Sequence, residues 1–268
     1  MGKGLENEAF DHLATNWDER PLTKELTEKQ IALYKQNVKF TKDMDCLEIG
    51  CGTGLFASVL SEDVRSILGI DTSEKMVGFF NKRAESNPKL RGIFGSIENV
   101  DISPLSFDVA YMNGVLHHID DPLATLRLLY KVLKPGGVII ISDYRSDLIK
   151  VTQPNVQGHS HAQPSNSHSH GHSHGPEHNH GHNHGHSHGH SHGHEHNHGH
   201  SHGHSHGNEP PGFNEGKVAE FLQEAGFVNV TEQLGFELAC PKDSGYPWDN
   251  LVSSFSVGYV SSVEDKFL

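Results

Sequence analysis

Short apolar runs alternate with amphipathic stretches along most of this chain. Cys46-Leu47-Glu48-Ile49 suits a parallel strand, and Ser66-Ile67-Leu68-Gly69-Ile70 is a second, with Leu55, Val59 and Leu60 at helical spacing between them. Further strands are expected at Ile93-Phe94-Gly95 and at Phe107-Asp108-Val109-Ala110. Then Asp120 or Asp121 can cap a helix that has Pro122 at its first position and a stripe of Leu123, Leu126, Leu129, Val132 and Leu133. Pro135-Gly136-Gly137 should stop it, and Val138-Ile139-Ile140-Ile141 is continuous enough for a central strand covered on both faces. A last helix is expected from Glu215 to Ala225, with Val218, Phe221, Leu222 and Ala225 toward a core. Strands alternating with helices predict an α/β fold with at least five parallel strands, and ligands of such sheets gather at the strands' carboxyl ends.

The chemistry concentrates at two of those ends. The first strand runs into Gly50-Cys51-Gly52-Thr53-Gly54, where glycines let backbone approach a ligand closely. A dinucleotide turn needs Gly-x-Gly-x-x-Gly, but the position after Gly54 is Leu55, so hydride chemistry falls to second place. The second strand ends in Asp71, whose carboxylate can accept both hydroxyls of a ribose. Strand, glycine turn, helix, strand and acid thus follow the order of a nucleoside-binding half-sheet.

These segments resemble the class I S-adenosylmethionine-dependent methyltransferases, in particular the small-molecule branch that includes ubiquinone and menaquinone biosynthesis enzymes. The resemblance covers roughly residues 5 to 151 and 212 to 240 and rests on four ordered motifs: Leu47 to Gly54, Gly69 to Met76, Phe107 to Ala110 leading into Leu116 to Pro122, and Leu133 to Gly137. Phe10 to Ala14 with Trp17, Asp18 and Glu19 resembles the opening helix that folds over the cofactor cleft in such enzymes, and Gly226-Phe227 the junction before the last two strands. It implies a Rossmann-like, mostly parallel sheet of about seven strands with helices on both faces, and S-adenosylmethionine as cofactor.

By the same resemblance, Glu48 orients the methionine ammonium, the amides of Gly50, Cys51, Gly52 and Gly54 sit against the ligand, and Asp71 with Thr72 meets the ribose. Glu48 has a plainer reading as a strand acid satisfied by local amides, yet an interior carboxylate without a partner is costly. Cys51 reads as a small filler of the turn. Met76 could pack on the adenine face or, with Phe79 and Phe80, simply fill a helix core. Relatives carry an Asp after the third strand to take the adenine amino group, whereas this chain has Ser96 followed by Ile97, so a serine hydroxyl or the Ile97 amide must serve. Glu98 beside them reads as a solvated loop acid.

Methyl transfer requires an electrophilic methyl group, an in-line nucleophile and exclusion of water, so positioning supplies most of the rate. Any base must come from the loop after the fourth strand, where Asn113, Gly114, His117 and His118 stand. His118 is the first candidate for taking a proton from an oxygen or acidic carbon, with bracing of the next helix as its other reading, and His117 ranks behind it. The acceptor is expected to be a small organic molecule. Phe236, Tyr246, Trp248 and Phe255 either line its pocket or close the sheet.

Composition then isolates one segment. Of 24 histidines all but His12, His117 and His118 lie in residues 158–207, among Gly, Ser and Asn. Without large apolar side chains nothing there offsets the entropy of ordering, so residues 152–211 are expected to form a disordered insertion in a single domain made of residues 1–151 and 212–268. Dense imidazoles should chelate zinc, nickel or copper weakly, which leaves a second reading: a metal-handling protein on a methyltransferase-like scaffold. The net charge of −13 counts histidine as neutral. Near pH 6.5 half-protonation would add about twelve charges, so solubility should fall in mild acid.

The acidic balance argues against a nucleic-acid substrate. Cys46, Cys51 and Cys240 show no paired spacing, which suits a reducing compartment. No apolar signal, mitochondrial targeting helix, myristoylation pattern or membrane span is read, so the cytoplasm, or else the nucleus, is the expected location.

Overall fold

The computed structural model describes residues 10–102, 106–150, 210–242 and 248–262. The histidine tract and Tyr246 lie outside the described residues. Seven strands form one sheet: β1 (Asp45–Ile49), β2 (Ser66–Asp71), β3 (Leu90–Phe94), β4 (Phe107–Asn113), β5 (Leu133–Tyr144), β6 (Val228–Ala239) and β7 (Asn250–Tyr259), in the spatial order β3-β2-β1-β4-β5-β7-β6. The first five pair in parallel, while β7 pairs antiparallel with both β5 and β6. This is the expected α/β, mostly parallel, Rossmann-like architecture. The order reverses at β1, so the crevice outside the carboxyl ends of β1 and β4 is where a ligand fits.

Alternation along the strands divides the core in two. Cys46, Ile67, Val109, Tyr111 and Ile140 pack with α1 (Pro21–Asn37), α2 (Leu55–Leu60) and α3 (Glu74–Ala84), whereas Leu47, Ile49, Leu68, Ile70, Ala110, Met112, Ile139 and Ile141 pack with α4 (Pro122–Val132) and α5 (Lys217–Glu224). Both faces of the inner strands are thereby covered, which explains their nearly uninterrupted apolar sequences. Helix α4 begins as expected: the Asp121 carboxylate accepts from the Ala124 amide at 2.9 Å, with Pro122 behind the cap.

The structure departs from expectation at Pro135-Gly136-Gly137. The helix already ends at Val132, and the three residues lie inside β5 as an irregularity: Leu133 pairs with Phe107 and Val138 with Val109, so five steps along β5 match two along β4. Gly136 takes φ +76°, and its amide and the Gly137 carbonyl bond to Val260. The helix stops short of the Pro-Gly-Gly turn, and backbone bonding with Val260 carries the strand through it. Leu133, expected on the helical stripe, is therefore buried as the first residue of β5.

Candidate functional site: a cavity at the strand carboxyl ends

A cavity of about 800 Å³ opens where β1, β2 and β4 end, and it is lined by Glu48, Gly50, Cys51, Gly52, Asp71, Thr72, Met76, Ser96, Ile97, Asn113, His117 and His118 among others. Of the expected site residues only Gly54 is outside the lining. The glycine turn is held from below, with Gly50 and Cys51 amides both donating to the Ile70 carbonyl, at 2.8 and 3.2 Å. Gly50, Gly52 and Gly54 all have positive φ, and a Cβ on Gly50 would come within 2.3 Å of Val115, one on Gly54 within 2.7 Å of Phe80. A Cβ on Gly52 would meet nothing, so that part of the turn faces free space.

Glu48 is 2% exposed and accepts from the Tyr111 hydroxyl at 3.3 Å, with the Asn113 side chain beside it. No Lys, Arg or His among the described residues pairs with it. Burial, reinforced by the negative charge of Asp71, drives its pKa well above the carboxylate range, against a smaller pull from Tyr111 and Asn113. Asn113 accepts from the buried Tyr34 hydroxyl at 2.7 Å through Oδ1, but its buried Nδ2 makes no well-formed hydrogen bond among the described residues. An acid lacking a cation and an amide lacking a well-formed hydrogen bond thus stand side by side.

Asp71 does more than face the cavity. One carboxylate oxygen accepts from the Gly52 amide and the other from the Ser73 amide, both at 2.8 Å, so the side chain folds the turn onto the start of α3. Burial raises its pKa, while those amides and that of Thr72 oppose the rise. Ser73, not Asp71, caps α3 by accepting from Met76. Met76 is both buried and part of the lining, so its two readings coexist. Ser96 is already engaged as acceptor from the Asn99 side chain at 3.1 Å, and the Ile97 side chain is buried beside it. Glu98 is exposed yet tied to α4 by the Thr125 hydroxyl at 2.8 Å. Cys51 is buried, and burial holds its thiol protonated, as a filler would be.

The opening segment covers the cavity. Phe10, Leu13 and Trp17 line it, and two acids anchor the segment beneath: Asp11 accepts from the Ser73 hydroxyl, and Asp18 accepts from Thr53 at 2.5 Å and pairs with Arg83. Arg83 also donates to the Thr53 carbonyl at 2.9 Å, binding segment, glycine turn and α3 together.

The histidines occupy unequal places. His118 is exposed, its ring edge-on to Phe10 at 5.5 Å. The His117 side chain is 10% exposed, and its Nδ1 lies 2.7 Å from the carboxylate of Asp143, itself 1% exposed. Sequence reasoning passed over Asp143, although its place at the carboxyl end of β5 was signal enough. It also passed over α1, whose weak periodicity hides that Tyr34 is fully buried against the site. Trp248 and Leu251 line the cavity, whereas Phe255 is core, so the aromatic segment divides between its two readings.

Sheet order and cavity define a Rossmann-like domain with its cavity at the ends of β1, β2 and β4. Residues 47–141 match the family model described as a methyltransferase domain. The ubiquinone biosynthesis O-methyltransferase of Idiomarina loihiensis is 29% identical over 140 residues, 50% of this chain and 57% of that protein. A demethylmenaquinone methyltransferase of Staphylococcus epidermidis is 27% identical over 138 residues, 49% of this chain and 56% of that protein. The chain therefore spans little more than half the length of these curated relatives. Among solved structures, a chain from the complex between the Haloferax volcanii Trm112 methyltransferase activator and a methyltransferase matches with a TM-score of 0.60 at 14% identity, covering 94% of this chain and 97% of that one, a likeness of fold alone. Residues 47–141 are thus similar to a methyltransferase domain, set in a fold shared with solved methyltransferase structures.

Proposed function

We propose that the protein is an S-adenosylmethionine-dependent methyltransferase acting on a small organic acceptor. The observation that carries this reading is the placing of Glu48 beside Asn113: a buried carboxylate without a cation and a buried amide without a well-formed hydrogen bond match an ammonium and a carboxylate on one ligand. Asp71 and Thr72 take the ribose, the amides of Gly50, Cys51, Gly52 and Gly54 form the floor, and Met76, Ser96 and Ile97 surround the adenine. S-adenosylmethionine, when bound, supplies an electrophilic methyl group. The chain's own part is to orient the acceptor and exclude water, the latter by the segment anchored through Asp11 and Asp18. A cavity of about 800 Å³ is at the large end for a small-molecule site, consistent with room for nucleoside and acceptor together.

The work is done by a single domain from residues 1–151 and 212–268, with residues 152–211 as an insertion that binds divalent metals weakly. Among the described residues no group of three or more His, Cys, Asp or Glu could hold a metal ion, and no helix is long and apolar enough to cross a membrane. Free Cys46, Cys51 and Cys240 favour the cytoplasm, with the nucleus as the other reducing compartment. Calorimetry with S-adenosylhomocysteine tests the cofactor, and incubation with methyl-labelled cofactor and a cell extract identifies the acceptor. Absence of binding heat with both cofactor forms refutes the proposal.

A further inference from the structure

On the methyltransferase reading above, we infer that Gln30 is a specificity-determining residue of the acceptor site: its amide hydrogen-bonds an uncharged polar group on an acceptor whose apolar body lies against Leu26, Trp248 and Leu251. Gln30 lines the cavity from α1 and is 8% exposed, yet its side chain makes no hydrogen bond among the described residues. The polar side chains before and after it on the same face of the helix are engaged. The Thr27 hydroxyl donates to the Thr23 carbonyl at 2.9 Å, and the Tyr34 hydroxyl, one turn further on, donates to Asn113 at 2.7 Å. Enclosing an amide without a partner is costly, and a leucine or methionine would close the same wall without that cost. A ligand group that both accepts and donates a hydrogen bond removes it.

The order of the sheet puts Gln30 on the acceptor side of the cavity. Asp71 and Ser96 stand at the ends of β2 and β3, on one flank of β1, whereas Tyr144 ends β5 and Leu251 lies at the start of β7, on the other flank beyond β4. Strand β7 runs antiparallel to β5, so its first residues arrive at the rim where the parallel strands end. Leu26, one turn before Gln30, packs with Tyr144 and Trp248 against the cluster that holds Leu251. A Cβ on Gly114 would come within 3.2 Å of the Tyr144 hydroxyl, so that ring overlies the loop after β4. The wall facing Gln30 is thus apolar and partly aromatic. Of the charged side chains that line the cavity, Glu48, Asp71 and Glu98 come from β1 to β3 and the residues just after them, and Arg20 from the residue before α1. The Gln30 amide carries no charge to balance an acid or an amine, and enclosing either against this wall would be costly, so the group it reads is neutral.

The test uses the full chain loaded with S-adenosylhomocysteine and two fluorescent probes of one shape, 2-naphthamide and 2-naphthoate, titrated at pH 7. Wild type should bind the neutral amide roughly tenfold more tightly than the anion. Gln30→Met keeps the length of the side chain and removes its hydrogen bonds; it should weaken binding of the amide about 5- to 100-fold. The same variant should keep its affinity for S-adenosylhomocysteine and melt no lower than wild type, and Gln30→Asn should restore part of the amide's binding. Calorimetry of S-adenosylhomocysteine reads the cofactor proposal separately: failure in wild type refutes that proposal, whereas failure only in Gln30→Met overturns the present one by placing the residue in the cofactor site. Preference for the anion, which would give the reading to Arg20, also overturns it. So does equal binding of the amide by wild type and Gln30→Met, a lower melting temperature in Gln30→Met, which would make the amide part of the fold, or no probe binding at millimolar concentration.

Discussion

Glu48→Gln offers the sharpest perturbation because it removes one charge and little else. The side chain is 2% exposed, meets the Tyr111 hydroxyl and the Asn113 amide, and feels the like charge of Asp71. In the unliganded protein its pKa is raised, so the native state holds a proton that the unfolded state has lost once pH passes the ordinary glutamate value of about 4.3. Stability contributed by this group is therefore present below that pH and is lost as pH rises toward the raised native value. Glutamine escapes the loss. Unliganded Glu48→Gln should melt higher than wild type at pH 7, by about 2–4 °C for each kcal/mol relieved, and the gap should shrink toward pH 4.5. Cofactor binding should respond in the opposite sense, since leaving one partner of a buried ion pair alone costs about 3–5 kcal/mol, or roughly 100- to 4,000-fold in Kd. Scanning calorimetry at both pH values and titration with S-adenosylmethionine measure the two effects. Unchanged affinity, or a variant that melts lower at pH 7, would refute the idea that this carboxylate waits for a cation.

Asp71→Ala should weaken cofactor binding and also lower the melting temperature, because it strips the acceptors from the Gly52 and Ser73 amides, at about 1–3 kcal/mol for each amide left without one. Asp71→Asn keeps one acceptor oxygen and should fall between; an alanine variant with wild-type stability would contradict the bracing role. Asp18→Ala, which releases Thr53 and Arg83 from the covering segment, should speed dissociation of S-adenosylhomocysteine in stopped-flow measurements while changing global stability little; an unaltered off-rate would show that the segment does not gate the cavity. Cys46 and Cys51, buried with raised pKa values, should resist iodoacetamide in the folded protein at pH 8 and react only after denaturation, as read by mass spectrometry of the peptides.

Much of the site was legible because it is local. Glu48, the glycine turn and Asp71 lie within 24 consecutive positions, and a parallel sheet places the ends of adjacent strands at one rim, so all of them line one cavity except Gly54, which starts α2 beneath it. Ser73 at the cap of α3 and Asp121 at that of α4 follow from residue type and spacing alone. The weaker readings concern groups whose meaning depends on a distant partner. His117 and Asp143 are 26 positions apart, and Tyr34 reaches Asn113 across 79.

Patterning and turn chemistry, then, are enough to specify the alternating elements, the parallel sheet and a glycine turn at the end of β1, because each depends on neighbours in the chain. Tertiary structure alone decides that the Pro-Gly-Gly segment continues as strand, that Asp71 braces the turn it faces, and that His117 meets the carboxylate of Asp143. Those outcomes depend on which backbone and side-chain donors and acceptors arrive from other strands. The sheet's order, rather than proximity in sequence, brings His117 to Asp143 and Tyr34 to Asn113.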